Sequence, residues 1–297
     1  MFKSGFVSII GHPNVGKSTL MNRILGDKVS IISSKPQTTR NTIRGIYNDT
    51  ESQVVFIDTP GVHTPKHKLG ATMSKNALRT MGAVDLVLVM VDATDDKTDL
   101  SKKMLDGLKA SETPAFLIMN KIDKVADIER LETFIERLKA SHAFHSVFAI
   151  SAMKGIYTDS LIKDIISVLP EGPAYYPKDI NTDQPERFLI SERIREKVLE
   201  LTHEEIPHSV NVTIDHMAYE DDSPHVLTIQ ATIIVERKSQ KGIIIGSGGR
   251  MIKAIGTKAR KDILDLLGTK VFLDMHVKVI KDWRNRKESL SDFGFEE

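Results

Sequence analysis

The chain has 297 residues, room for two domains at roughly 100–200 residues each. Forty per cent of them are apolar, enough for buried cores, so global disorder is excluded. Lys and Arg (41) nearly cancel Asp and Glu (40), and the absence of cysteine rules out disulfides and thiolate metal sites, which fits a reducing cytosol.

Residues 1–10 carry one lysine and an apolar run too short for a signal peptide. The longest apolar run, residues 86–91, is far below the ~20 needed to span a bilayer. A soluble chain is expected, with any membrane contact peripheral.

Residues 6–10, 54–57, 86–91, 116–119 and 147–150 read as buried strands, apolar on both faces. Amphipathic stretches at 128–139 and 158–169 read as helices. Strands alternating with helices predict an α/β domain over residues 1–170, a mostly parallel sheet with helices on both faces. A ligand would then sit at the carboxyl ends of its strands.

Four prolines between 170 and 185 break both regular structures, so residues 171–186 read as a linker. From 187 to 297 the order changes. A helix (188–202), strands at 208–218 and 226–235, a glycine-rich turn, a helix (253–267) and a strand (271–280) predict an α+β domain.

Gly11-His12-Pro13-Asn14-Val15-Gly16-Lys17-Ser18 fits GxxxxGK[ST] directly after the first strand. Its backbone N–H groups would face phosphate oxygens and the following helix would add its positive end. Lys17 would bridge the β- and γ-phosphates, Ser18 would ligate Mg²⁺, and Thr19 joins the nucleotide-binding set. Asp58, at the end of a buried strand in Asp58-Thr59-Pro60-Gly61, would hold Mg²⁺, and the Gly61 N–H would reach the γ-phosphate. In Lys35-Pro36-Gln37-Thr38-Thr39-Arg40 one threonine hydroxyl would complete the metal shell, Thr39 in preference to Thr38. Lys17, Thr39 and Gly61 are therefore the candidate catalytic residues.

Asn120-Lys121-Ile122-Asp123 follows a strand. An Asp123 carboxylate accepts from both the N1–H and N2–H₂ of guanine, a donor pair that adenine lacks. Asn120 would bond the base and the phosphate loop, the Lys121 stem would cover a ring face, and the Ser151-Ala152 turn would offer an N–H to guanine O6. The Asp58 motif and the Ser-Ala dipeptide are weak alone and Asn-Lys-x-Asp is moderately specific; following the phosphate loop in this order, each at a strand's end, they make the domain resemble the translation-factor class of small GTPases. That resemblance implies GTP and GDP binding with switch loops that order around the γ-phosphate.

Ras-like enzymes carry a water-orienting glutamine just after DxxG. Here that position is Val62, so slow turnover is expected, on the order of 10⁻⁴–10⁻² s⁻¹. In similar GTPases an asparagine at the Asn14 position helps bind K⁺ beside the phosphates; a bracing role for Asn14 is the alternative.

Gly246-Ser247-Gly248-Gly249 is a GxxG loop between apolar segments, as in KH domains, where it clamps the backbone of about four nucleotides. Eight Lys/Arg lie between 236 and 261 against one acid, Glu236, so a nearly neutral chain still carries a basic face. Lys241, Arg250 and Lys253 would supply charge that the loop's own Ser247 and Gly248 do not. Arg284, Arg286 and Lys287 would add RNA contact or form a solvated helix. His203-Glu204-Glu205-Ile206-Pro207-His208 has one residue too many for a zinc-protease motif, and Pro207 breaks the helix such a motif needs. His63 and His67 read as solvated, and Met73 and Met81 as packing residues.

A GTPase followed by a KH domain, with Asn-Val-Gly-Lys-Ser, Pro-Gln-Thr-Thr-Arg, Asp-Thr-Pro-Gly and Asn-Lys-x-Asp, resembles the Era family over nearly the whole chain. The resemblance implies a cytoplasmic, monomeric assembly factor that grips small-subunit rRNA near its 3′ end and acts on the small ribosomal subunit. It also implies peripheral contact with the inner face of the cell membrane. An RNA-binding adaptor with a passive guanine-nucleotide sensor is the second reading. An ATP-using kinase or ATPase is the third, opposed by Asn120 and Asp123.

Overall fold

The computed structural model describes residues 1–35, 37–62, 65, 67–203, 206–220 and 223–295. In the first domain β1 (Lys3–Gly11), α1 (Lys17–Leu25), β2 (Ile43–Asn48), β3 (Ser52–Asp58), α2 (Lys68–Arg79) and β4 (Leu86–Asp92) follow one another. They are succeeded by α3 (Lys102–Ser111), β5 (Ala115–Asn120), α4 (Ile128–Ser141), β6 (Ser146–Ile150) and α5 (Thr158–Val168). The sheet order is β2-β3-β1-β4-β5-β6, parallel throughout except for β2 against β3.

The five expected strands are present and slightly longer than their apolar runs. β2 was not expected, because Arg44 and Gly45 interrupt its apolar pattern. One face of the sheet packs Val7, Ile9, Phe56 and Leu88 against α1 and α5. The other packs Ile10, Val89 and Leu117 against α2, α3 and α4, where Met81 is buried as expected of a packing residue. Two helices, α3 and α4, begin where a side chain satisfies one of their first N–H groups: Ser101 accepts from Met104 N, and Asp127 from Arg130 N.

The second domain runs α6 (Glu186–Leu201), α7 (Ile206–Ser209), β7 (Asn211–Glu220), β8 (Ser223–Val235), α8 (Lys238–Ile245), α9 (Arg250–Leu267), β9 (Lys270–Val279) and α10 (Lys287–Asp292). Its sheet is β7-β8-β9, the first pair antiparallel and the second parallel. Two expectations change. The strand expected from 208 begins only at Asn211, because Pro207 sits in the short α7. A helix, α8, precedes the glycine-rich loop, started by Gln240 Oε1, which accepts from the Glu236 and Arg237 N–H groups at 2.9 Å each.

The proline-rich segment carries no helix or long strand and is strapped to the first sheet. Asn181 O accepts from Ile46 N at 2.8 Å, and Gln53 Oε1 accepts from Tyr175 N (2.7 Å) and Tyr176 N (3.0 Å). Between the domains, Trp283 is fully buried among Leu69, Met73, Ile234, Leu290 and Phe295. Among the described residues no helix is long and apolar enough to cross a membrane.

Candidate functional site

The loop between β1 and α1 wraps around the Lys17 side chain, whose ammonium donates to His12 O at 3.0 Å and Gly11 O at 3.3 Å. Burial pulls the Lys17 amine down to about 8, with Asp58 opposing. Gly16 adopts φ 105°, and a Cβ there would stand 2.3 Å from Asn120 Nδ2, so only glycine lets the phosphate loop and the base loop approach this closely.

Ser18 Oγ donates to Asp58 Oδ2 at 2.7 Å, and the Thr39 hydroxyl lies 2.9 Å from Ser18 Oγ and 3.3 Å from the same carboxylate oxygen. Thr38 turns away, donating to Lys35 O at 2.6 Å. Asp58 is fully buried and its Oδ1 has no hydrogen-bond partner among the described residues. Burial pushes its carboxyl above the usual value, against Lys17 and hydrogen bonds from Ser18, Ser30 and Thr39. A buried carboxylate with one unsatisfied oxygen beside two hydroxyls is a donor set suited to a hard divalent cation.

Asn120, 2% exposed, donates to Val15 O at 2.7 Å and accepts from Ala152 N at 2.9 Å, tying the phosphate loop to the last turn of the site. Of the N–H groups in the turn expected to face guanine O6, that of Ala152 serves Asn120. Lys121 is held in a left-handed conformation (φ 70°) with its ammonium 2.5 Å from Asp92 Oδ2. Asp123 is exposed on the cleft wall.

One cleft is lined by Asn14, Gly16, Lys17, Ser18, Thr19, Thr39, Gly61, Asn120, Lys121, Asp123 and Ser151. Gly11, Val15, Asp58 and Ala152 lie outside its lining. Asn14, at φ 64°, donates from Nδ2 to Ser34 O at 2.9 Å. Val62 is buried, and its N–H donates to Gly11 O at 3.1 Å. Pro36, His63, Glu204 and Glu205 lie outside the described residues.

The glycine-rich loop is far off in sequence, at the join of α8 and α9. Gly246, Gly248 and Gly249 all have positive φ, and the Gly249 N–H donates to Gly246 O at 3.2 Å. A Cβ at Gly246 would strike Met251, whereas Cβ atoms at Gly248 and Gly249 would meet nothing, leaving a bare backbone ridge. Ser247, Arg250 and Lys253 are exposed there, and Lys241 is half-buried on α8. Arg284 is no RNA-facing cation: its side chain is 11% exposed and pairs with Glu236 at 2.6 Å.

Several site residues carry no motif signal. Asp92 ends β4 beside Lys121. Ser30, fully buried, donates to Asp58 Oδ2 at 3.0 Å, placed by Asn22, whose Oδ1 accepts from Ser30 N at 2.9 Å. Ile243, 50% exposed, lies beside the glycine loop. Only the strand-end position of Asp92 offered a signal.

Residues 6–121 match the family described as 50S ribosome-binding GTPase, and residues 205–284 match the KH domain. A variant of Era from Aquifex aeolicus, solved with GDP and aluminium fluoride, is 39% identical, with all of both chains covered and a TM-score of 0.93. The chain belongs to the Era family. An Era structure solved with MgGDPNP and nucleotides 1506–1542 of 16S ribosomal RNA is likewise 39% identical over all of both chains, at a TM-score of 0.94. In Era proteins, as here, one chain joins a P-loop GTPase domain to a KH domain.

Proposed function

We propose that this chain is a slowly hydrolysing GTP switch whose KH domain binds single-stranded small-subunit rRNA near its 3′ end and assists assembly of the small ribosomal subunit. The observation that carries this reading is the full-length match to Era, one copy of which was solved with a GTP analogue and a 16S fragment. The G-domain family description names the large subunit. It covers none of the KH half, so the full-length relative decides the RNA partner.

In this reading the N–H groups from Gly11 to Thr19 and the Lys17 ammonium cradle the β- and γ-phosphates. Ser18, Thr39 and Asp58 would hold Mg²⁺. When bound, the ion neutralises charge that develops on the phosphate oxygens. Thr39 is preferred to Thr38 because its hydroxyl already faces Asp58. Gly61 offers its N–H to the γ-phosphate. Asp123 accepts the guanine donors, Asn120 braces the pocket, Lys121 covers the ring, and the Ser151-Ala152 turn closes it.

The Val62 side chain supplies no group to orient water, which supports slow turnover on the order of 10⁻⁴–10⁻² s⁻¹. The same residue favours the second reading, a passive nucleotide sensor. Multiple turnover abolished by Lys17→Ala separates the two. Asn14 uses its amide nitrogen on Ser34, so its oxygen is the atom that would take K⁺.

Lys241, Arg250 and Lys253 would neutralise RNA phosphates around the ridge of Gly246, Ser247, Gly248 and Gly249. The reading places a monomer in the cytoplasm, where the small subunit is built, touching the inner face of the cell membrane at most peripherally. The test is binding of a 3′-end rRNA oligonucleotide with GTP analogue, GDP or no nucleotide. Tighter binding with the analogue, lost in Gly246→Asp/Gly249→Asp, supports the switch; equal, weak binding in all three states sinks it.

A further inference from the structure

Residues 28–35 and 37–40 lie between α1 and β2 in sequence and contact both Asp58 and α6. On the phosphate side, the Ser30 and Thr39 hydroxyls donate to Asp58 Oδ2. On the other side the segment is held by the KH domain. Ile31 is buried in the KH core, and Glu196 Oε1 accepts from Ile32 N at 3.0 Å. Arg193 donates to Lys28 O and Arg195 to Thr38 O. Arg40 reaches the opposite way, donating to Val210 O at 2.5 Å and Pro207 O at 3.0 Å, with its guanidinium 5.8 Å from the Trp283 ring centre. Thr38 and Arg40 are therefore both anchored in the KH domain, and Thr39 between them presents its hydroxyl to Asp58 and Ser18.

Arg195 is built for this contact. Its side chain is 1% exposed, and Glu192 accepts from Nε and from one terminal nitrogen at 2.6 Å each. That fork fixes the guanidinium plane, and the terminal nitrogen that bonds Glu192 also bonds Thr38 O, while the other terminal nitrogen has no hydrogen-bond partner among the described residues. A guanidinium this deeply buried is costly to hold unless its contacts are well made. The carbonyl it grips belongs to the residue before the candidate metal ligand.

We propose that Arg195 is a positioning residue for the Mg²⁺ site: by holding the Thr38 carbonyl, the KH domain aims the Thr39 hydroxyl at the metal, completing the site in cis. The proposal rests on the GTP–Mg²⁺ reading above. It makes the GTP-bound arrangement of the switch segment depend on α6, and predicts that an isolated G domain holds Mg²⁺ with GTP poorly.

The test uses the full chain and a fluorescent GTP analogue that is not hydrolysed, titrated with Mg²⁺, so the readout is binding and not turnover. In Arg195→Gln the Mg²⁺ concentration for half-maximal analogue binding rises about tenfold, the worth of one hydrogen bond from a charged group. Arg195→Lys recovers part of the shift, and GDP affinity in EDTA stays within about threefold, because Thr39 is not engaged there. In a Thr39→Ala background, Arg195→Gln adds nothing further, as expected of two residues acting through one ligand. An unchanged Mg²⁺ midpoint, or a shift that adds in full to that of Thr39→Ala, overturns the proposal. Should Arg195→Gln fail to fold by circular dichroism, Arg195→Lys and Glu192→Gln decide it. A raised midpoint in both supports it, and a wild-type midpoint in both overturns it. A wild-type chain that binds no analogue at all overturns the nucleotide reading itself, an outcome distinct from an unshifted midpoint.

Discussion

Asn120→Ala tests how far the guanine pocket depends on one buried amide. The side chain makes two buried hydrogen bonds, to Val15 O at 2.7 Å and from Ala152 N at 2.9 Å. Removing it leaves a carbonyl and an N–H in a site only 2% exposed at that residue. Each orphaned group costs about 1–3 kcal/mol, so the pair costs about 2–6 kcal/mol, divided between folding and nucleotide affinity. Even the lower bound, assigned wholly to binding, weakens GDP about thirtyfold. Assigned wholly to stability, it lowers the melting transition of the nucleotide-free G domain by about 4–8 °C. Fluorescent-GDP titration and calorimetry on the same preparation capture both shares. The geometry adds a second arm. Gly16→Ala drives its Cβ to 2.3 Å from Asn120 Nδ2, so its cost falls when Asn120 is already Ala. An Asn120→Ala chain within threefold in GDP affinity and within 1 °C in melting refutes the bracing role. So would a Gly16→Ala cost that is undiminished in the double variant.

Asp123→Asn exchanges the acceptor for the guanine donors, so GTP affinity falls at least about a hundredfold while xanthosine triphosphate gains, measured by competition. Unchanged guanine preference places the base elsewhere. Gly249→Asp leaves the fold intact, because its Cβ meets nothing, but strains a φ of 78° and adds an anion; RNA affinity drops while melting stays within about 2 °C. Replacing Na⁺ with K⁺ raises GTP turnover in the wild type and not in Asn14→Ala, and equal wild-type rates dismiss the Asn14 cation site. Lys28 pairs with Glu196 at 2.6 Å and Asp262 at 3.0 Å. Burial raises the Asp262 carboxyl, but hydrogen bonds from Lys197 and Lys28 outweigh it and leave the group below its usual value. Because the folded value is the lower one, this stabilisation is present above the ordinary aspartate range and is lost as pH falls through the depressed value. Lys28→Met therefore lowers stability at pH 7 by about 0.5–1 kcal/mol, as for a partly exposed pair, and the difference from wild type shrinks below about pH 4 in acid-titrated melts.

The parts legible in the sequence are those whose chemistry is local. GxxxxGK[ST], DxxG, NKxD and GxxG each place several groups within one turn, where backbone geometry fixes their relation, so spacing alone announces them. The strands of the first sheet announced themselves because burial on both faces leaves no polar position to obscure the run. β2 escaped because it is an edge strand whose Arg44 points outward to Asp183 at 2.7 Å. α8 escaped because Ile243-Ile244-Ile245 has strand-like composition, and the helix is started by a carboxamide three residues earlier.

What spacing does not reach is contact between distant segments, and α6 is the sharpest case. Glu192, Arg193, Arg195, Glu196 and Lys197 are charged residues of a kind that usually faces solvent, yet all five are buried. The apolar stripe of α6 (Ile190, Ile194, Val198) fills the KH core, and the charges beside it have two physical outlets: solvent, or a partner that supplies opposite charges and backbone carbonyls. Here Lys197 pairs with Asp262 of α9, while Arg193, Arg195 and Glu196 address Lys28, Thr38 and Ile32, the Arg195–Thr38 contact spanning 157 residues of the chain. Buried charge of this kind is poor stability for its cost, since well-packed apolar residues would hold two domains together as firmly. Its hydrogen bonds are directional, however, and every carbonyl or N–H they address belongs to the segment that also carries Ser30 and Thr39. An apolar interface would tolerate a shift of that segment by a fraction of an ångström, whereas a guanidinium on a single carbonyl would not. The polar composition of α6 is thus better explained by control of the switch segment than by adhesion between domains.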